Sequence, residues 1–416
     1  MAQKRGPKMK SSDDNACDLV VNNARIYNGS ALLEGSHNVG IAGDRIRSVS
    51  SSPIAGSRQL DAQGRFLLPG LIDCHIHLLN MWAAKDEATM AADIETELPK
   101  RLNDFLAAGV TTVKSVGDSE DDILRVRARL ASGELAGPRL LATGAAFCAP
   151  GSHPATTIYG QNPWLRNRAT VETDSPEGAR EAVRRSAEKK VDAVKVIHHG
   201  GCKHGSPYFF KAELLGLNVQ ILKLEQAVLE AIIDEAHRHG LKATVHTVDA
   251  DAAIEALEAG ADGLEHGVIE HRLNDDRVVD LLLRNRASYV PTLCLIRLEE
   301  KTAEVRNANL KQMADAGVRV ALGTDSFCGF GKFGENAIEE AERCAQAGIG
   351  TAHILRMATK DAAEHLGLED LGVVASGKLA DLLLLDADPT ISISALRKVS
   401  MVIQNGSIVV DNARIP

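Results

Sequence analysis

The sequence contains no Cys-x-x-Cys pair, no apolar run of about 18 residues and no excess of positive charge. Its seven cysteines are scattered and odd in number, which excludes a simple disulfide framework and fits reduced, buried thiols of a cytoplasmic protein. Without a long apolar run, no helix is expected to cross a membrane. A formal charge of -9 disfavours a nucleic-acid partner, because binding to phosphate backbones is dominated by Lys and Arg. The stretch from Met1 to Asp14 is polar and no apolar core follows its basic residues, so a signal peptide is not expected. Residues 1–17 read as a disordered tail.

What remains is an ordinary globular composition, 44% apolar and 25% charged, in a chain of 416 residues. That length suffices for more than one domain, or for one barrel with an addition. The two ends resemble each other. Asp18 to Tyr27 and Asn38 to Ile46 are short β-like segments, and Ala380 to Asp386 is a buried-strand run. Val399 to Val410 reads as a hairpin turning at Asn405-Gly406. Neither end has enough strands to bury a sheet face alone, so residues 18–70 and 368–416 are expected to pair into one small β-domain.

Between them, residues 71–367 alternate short apolar strands with amphipathic helices. The strand ending in His75-Ile76-His77 is followed by Val110–Val116, Arg139–Thr143, Ala193–Ile197, Lys242–His246, Gly263–His266, Ser288–Thr292 and Val318–Asp325. Helical patterns are clearest in Glu177–Lys190, Leu224–His239, Ala250–Ala259 and Asn336–Ala347. Eight strands, most of them followed by a helix, is the count of a (β/α)₈ TIM barrel in an α/β chain. The competing arrangement is a doubly wound open sheet, which would place ligands at one switch point instead of around a ring.

Strand alternation puts His75 and His77 on one face, where two imidazoles can share a metal; by itself the pair could equally be two stray histidines. Barrel enzymes carry their chemistry at the C-terminal strand ends, and those positions hold Lys195, His246, His266 and Asp325 as well. Singly, each histidine has a structural reading, and Asp325 could be a turn former or helix cap. Together they make a ring of ligand types that points to a metal site. Lys195 is the odd member, since an ammonium repels a cation. A free amine can instead add CO₂ to give a carbamate whose two oxygens could bridge two cations.

Pro69-Gly70-Leu71-Ile72-Asp73-Cys74-His75-Ile76-His77, the strand bearing Lys195, His246, Glu265-His266-Gly267, Gly323-Thr324-Asp325, Gly377 to Leu382 and Val402 to Gly406 together resemble the amidohydrolase superfamily. The resemblance covers nearly the whole chain from Asp18. It is nearest to the zinc-dependent Xaa-Pro dipeptidases and to imidazolonepropionase, and it implies that the terminal β-pieces form a composite β-sandwich domain. It further implies that His75, His77 and Asp325 bind the more buried ion, that His246 and His266 bind a second, and that carboxylated Lys195 bridges both. The cofactors implied are two divalent ions, zinc by analogy, and the Lys195 carbamate. The implied chemistry is attack of a metal-activated hydroxide on an amide carbonyl, with Asp325 accepting its proton and passing it to the leaving nitrogen. A small-molecule substrate and a homo-oligomer are also implied.

Substrate signals are thinner. His198 opens a long glycine-rich loop that reads as a lid or substrate wall, its histidines otherwise being solvated. His153 follows strand three in a stretch similar to one that approaches substrate in the dipeptidases. Many relatives carry Tyr or His two residues after the strand-five histidine, and here that position is Val248, which suggests a different or more apolar substrate group. The leading expectation is hydrolysis of a carbon-nitrogen amide bond in a dipeptide, N-acyl amino acid, carbamate or cyclic amide. The alternatives are a lactone or phosphoester hydrolase, a mononuclear imidazolonepropionase-like enzyme, and a non-catalytic scaffold.

Overall fold

The computed structural model describes residues 17–200, 221–298 and 300–412. At the start of the chain, Cys17–Ile26 (β1), His37–Ala42 (β2), Arg45–Ser50 (β3), Gly56–Asp61 (β4) and Phe66–Pro69 (β5) are followed by Leu71–Ile76 (β6). Then come Val110–Ser115 (β7), Arg139–Ala142 (β8), Ala146–Cys148 (β9), Thr170–Glu172 (β10), Ala193–Ile197 (β11) and Lys242–His246 (β12). The last six are Gly263–Glu265 (β13), Ser288–Val290 (β14), Arg319–Val320 (β15), Leu382–Leu385 (β16), Val399–Gln404 (β17) and Ser407–Asp411 (β18).

Strands from both chain ends share one sheet in the order β18-β17-β16-β5-β1-β2-β3, with β4 also on β1. The join is the antiparallel pairing of β16 with β5, Leu383 opposite Leu68. Alternation explains why Leu382-Leu383-Leu384-Leu385 is apolar throughout. Leu382 and Leu384 pack with Ile26, Ile41 and Leu67 inside the small β-domain, whereas Leu383 and Leu385 pack into the large barrel core. The terminal hairpin turns at Asn405 (φ 48) and Gly406 (φ 75), the paired positive φ of a type I′ turn. Two local expectations shift. Cys17 already belongs to β1, and Asn38–Ile46 is not one segment but β2 and the start of β3, which pair antiparallel around the turn after Ala42. The rest of the expected tail, residues 1–16, lies outside the described residues.

The middle of the chain closes into a barrel. Strands β6-β7-β8 are parallel neighbours, as are β9-β11-β12-β13-β14-β15. β8 and β9 are two halves of one strand bent at Gly144 (φ 67), the first half bonded to β7 and the second to β11. The ring is completed between its last and first strands, where Cys74 N donates to Leu322 O at 2.9 Å and Asp325 N donates to His75 O at 2.8 Å. The last strand was expected to run to Asp325, yet its regular ladder covers only Arg319–Val320. Beyond it the chain bonds to β6 singly and then turns at Asp325, whose φ is 54.

Helices flank the barrel as their periodicity predicts, within a residue or three at each end: Pro176–Glu188, Gln226–Arg238, Ala250–Glu258 and Phe333–Gln346. Ser175 and Asp249 cap two of them by accepting from the Gly178 and Ala252 amides. Among the described residues, no helix is long and apolar enough to cross a membrane.

Candidate metal centre and active site

Where the strands end, the backbone aims side chains at one place. His75 is in β6 and His77 just beyond it, two residues apart on one face. Asp73, on the same face, accepts from Thr324 Oγ1 at 2.7 Å and Thr324 N at 3.1 Å, tying the first strand to the residue before Asp325. Burial raises the Asp73 carboxyl to about 8, so in this pairing a proton can be retained near neutral pH. His266, Thr292 and Asp325 all have positive φ (66, 48 and 54). Such left-handed non-glycine residues cost energy and cluster at functional sites, and here they end three barrel strands. His266 was expected inside its strand; the reversal of φ places it after β13 instead.

The ligand atoms of His75, His266 and Asp325 lie within 4.8 Å of one another. His77 Nε2 is 3.2 Å and His75 Nε2 3.4 Å from the same Asp325 oxygen. The His246 ring stands 4.5 Å from that of His266. Lys195 sits mid-strand in β11, not at its end, and its side chain lines the same cavity. The sequence-predicted residues His75, His77, Lys195, His246, His266 and Asp325 are therefore brought together.

Electrostatics suit cation binding. Burial, then His266 and His153, push His246 well below the usual imidazole range, and burial does the same to His266, leaving both neutral electron-pair donors. Burial works to raise Asp325, yet His75 and His77 hold it well below the usual carboxylate range. Burial lowers the Lys195 ammonium to about 8 against the opposite pull of Glu265 and Asp325. The buried atoms His75 Nε2, His77 Nδ1, His246 Nε2 and Lys195 Nζ have no hydrogen-bond partner among the described residues. Buried polar atoms are seldom left so, and the four side chains that carry them all line one cavity, which fits a site for divalent ions.

Beneath the cavity lies a charged network that the sequence reading missed. Glu265 Oε2 accepts from His75 Nδ1 at 2.7 Å, which aims Nε2 at the site. Glu265 Oε1 accepts from Lys114 Nζ at 2.9 Å and Thr244 Oγ1 at 2.6 Å, and Lys114 Nζ donates to His365 Nε2 at 3.0 Å. Glu265 is 0% and Lys114 3% exposed. Charged residues inside apolar strand runs were the available signal, since a buried charge demands a partner. Glu265→Gln should strand the Lys114 charge and destabilise the fold by about 3–5 kcal/mol. Urea unfolding would detect this; an unchanged midpoint would show that the pair is dispensable, and Lys114→Met in the same chain should recover part of the loss.

The cavity has about 860 Å³ of empty space including its open mouth. His153 lines it, with Nδ1 2.6 Å from Thr157 Oγ1. His198 does not line it; it is buried behind the wall with Nε2 2.7 Å from Glu255 Oε2. Val248 is likewise absent from the lining. It is fully buried, and its carbonyl accepts from Ile269 N and Glu270 N, so the chain after β12 turns away from the cavity. The remainder of the glycine-rich loop, from Gly201 to Phe210, lies outside the described residues. The lining includes Trp82, Tyr159, Arg306 and Phe327, none flagged by the sequence because they come from loops and from the helix Ala303–Asp315, beyond the strand ends.

Comparison with known proteins agrees with this geometry. The chain is 24% identical to ochratoxinase of Aspergillus niger over 364 residues, covering 78% of this chain and 70% of that one. It is 24% identical to imidazolonepropionase of Brevibacillus brevis over 406 residues, covering 86% and 84%. A solved Xaa-Pro dipeptidase with bound methionine superposes with a TM-score of 0.78 at 25% identity, covering 94% of this chain and 99% of the other. A molinate hydrolase structure at 22% identity shares the fold, with a TM-score of 0.77 over 97% and 96%. Residues 66–409 match the amidohydrolase family model, and the chain belongs to the amidohydrolase family.

Proposed function

We propose that this metal-dependent hydrolase cleaves a carbon-nitrogen amide bond of a small molecule, such as a dipeptide, N-acyl amino acid, carbamate or cyclic amide, within the cavity described. The observation that carries the reading is that His75 Nε2, His246 Nε2 and Lys195 Nζ, buried and without hydrogen-bond partners among the described residues, belong to side chains lining one cavity with Asp325. His75, His77 and Asp325 would hold one divalent ion, His246 and His266 another, and Lys195, once carboxylated, both. When bound, such ions lower the pKa of water and polarise a carbonyl. Asp325, ionised and facing the cavity, would take the proton of the attacking water and deliver it to the leaving nitrogen. Glu265 would keep the His75 ring in register, and His153 would touch substrate from the wall.

Zinc as the ion, two ions per chain and a homo-oligomeric state complete the proposal and are supported by the family resemblance, and a cytoplasmic location is supported by the scattered, unpaired spacing of the cysteines. The test is a substrate panel of dipeptides, N-acyl amino acids, ureas, carbamates and lactones, run before and after chelation. Chelator should abolish hydrolysis of C–N substrates, and added Zn²⁺ should restore it with two ions per chain by elemental analysis. Activity that survives metal removal, or a panel in which only lactones turn over, would overturn the reading.

A further inference from the structure

We infer that Glu340, on the helix Phe333–Gln346, is a positioning residue for the metal centre: it locks the turn at Thr292, whose hydroxyl holds the His266 ring by Nδ1 and leaves Nε2 to a cation. This rests on the metal-dependent reading proposed above. Glu340 is 0% exposed, and its carboxylate is shared between consecutive amides. Oε1 accepts from Leu293 N and Oε2 from Cys294 N, both at 2.7 Å. These amides open the 3₁₀ turn Leu293–Arg297, directly after Thr292. Thr292 has φ 48 and ψ 49, a left-handed backbone that is an outlier for a β-branched residue. Such a conformation costs about 1–3 kcal/mol and persists only where surrounding bonds over-determine it, and Glu340 supplies two of them. In that conformation Thr292 Oγ1 lies 2.8 Å from His266 Nδ1. A return of Thr292 to the extended region would redirect the chain after β14 and take the hydroxyl off His266.

A fully buried carboxylate is a costly way to start a short turn, since a serine or asparagine within the turn itself could accept from its amides. Charge-assisted bonds to backbone N–H groups are about twice as strong as neutral ones, which suits a group that must hold a strained residue. The same helix face also reaches the neighbouring strand end. Asn336, one turn before Glu340, donates from Nδ2 to Ser326 Oγ at 2.9 Å, and Ser326 Oγ lies 2.6 Å from Thr324 Oγ1, beside Asp325. Cys294 Sγ donates to Asn336 O at 3.2 Å between the two contacts. Glu340 and Asn336 thus tie the ends of the last two barrel strands to one helix. With a proton held on Nδ1 by the Thr292 oxygen, His266 Nε2 keeps the electron pair that a cation needs. Outer partners of this kind are worth about 10- to 100-fold in metal affinity.

The test titrates the chelated full-length protein with Co²⁺, read by the visible absorption of the bound ion, and needs no substrate. Glu340→Gln keeps the shape but turns an NH₂ group towards one of the two amides, and it should weaken the uptake of one ion by about 10- to 100-fold. Thr292→Val, which removes the hydroxyl at constant shape, should do the same, and Thr292→Ser should restore most of the affinity. In the Glu340→Gln, Thr292→Val double variant the loss should be no larger than in either single variant, because both break one chain of contacts to His266. A purely structural Glu340 would lower the urea midpoint and leave Co²⁺ affinity and spectrum unchanged, which overturns the inference, as would losses that multiply in the double variant. Where Glu340→Gln fails to fold, Glu340→Asp, which keeps the charge but withdraws it by one methylene, takes its place in the cycle and the same outcomes decide. Wild type that takes up no Co²⁺ would overturn this inference together with the metal reading, whereas wild-type uptake that the variants share would overturn the positioning role alone.

Discussion

Asp325→Asn is expected to lower C–N hydrolysis by about 10³-fold, within the 10²- to 10⁴-fold range of a positioned acid–base group. The substitution keeps the shape and most of the bonding. The Asp325 amide would still donate to His75 O, and an asparagine tolerates the left-handed backbone at φ 54 better than most residues. What it removes is the negative charge that His75 and His77 hold ionised, and with it a site for the water's proton. It also removes a ligand, so two readouts are needed. Metal content near that of wild type with lost kcat would assign the loss to proton transfer, whereas loss of an ion would assign it to coordination. Turnover that stayed at the wild-type level would remove Asp325 from the chemistry, and with it the proposed site.

Much of this site was legible because strand geometry is local. In an apolar run with period-two alternation, His75 and His77 must share a face, and that is where the structure puts them. The same logic located His246, His266 and Asp325, since a parallel barrel presents its C-terminal ends to one side. The doubly buried Leu382–Leu385 run was legible for a similar reason, as only a strand packed on both faces is apolar at every position. The left-handed φ of His266 and Asp325 was not legible, because neither residue type demands it and neighbouring strands impose it. Val248 misled for the opposite reason: counting two residues past His246 assumes an extended path, whereas the chain turns to bond with Ile269 and Glu270. Arg306 was invisible because its place in the cavity depends on how a helix about forty residues after His266 docks, and Asn309 sets that docking through long-range bonds. Lys114 and Glu265 lay in plain view within recognised strands. Asking what each buried charge pairs with would have joined them.

Lys195→Ala is the second large effect. The Lys195 amine is buried in the barrel interior, lacks a hydrogen-bond partner among the described residues, and lines the same cavity as His75, His246, His266 and Asp325. If it carries a carboxyl group, truncation removes a negative ligand from two ions together, a loss of several kcal/mol in transition-state stabilisation and so on the order of 10³-fold in rate. A merely structural lysine would lose stability on truncation but would leave metal content unchanged. Three measurements separate these cases. Elemental analysis of Lys195→Ala should show fewer ions per chain. Added acetate or propionate should recover part of the activity, because a free carboxylate can enter the space left by the side chain. ¹³C NMR of wild type exchanged with ¹³CO₂ should show a carbamate signal that the variant lacks. Full metal content together with no carbamate signal would make Lys195 an ordinary buried amine, and the mononuclear arrangement would then be the better account of this site.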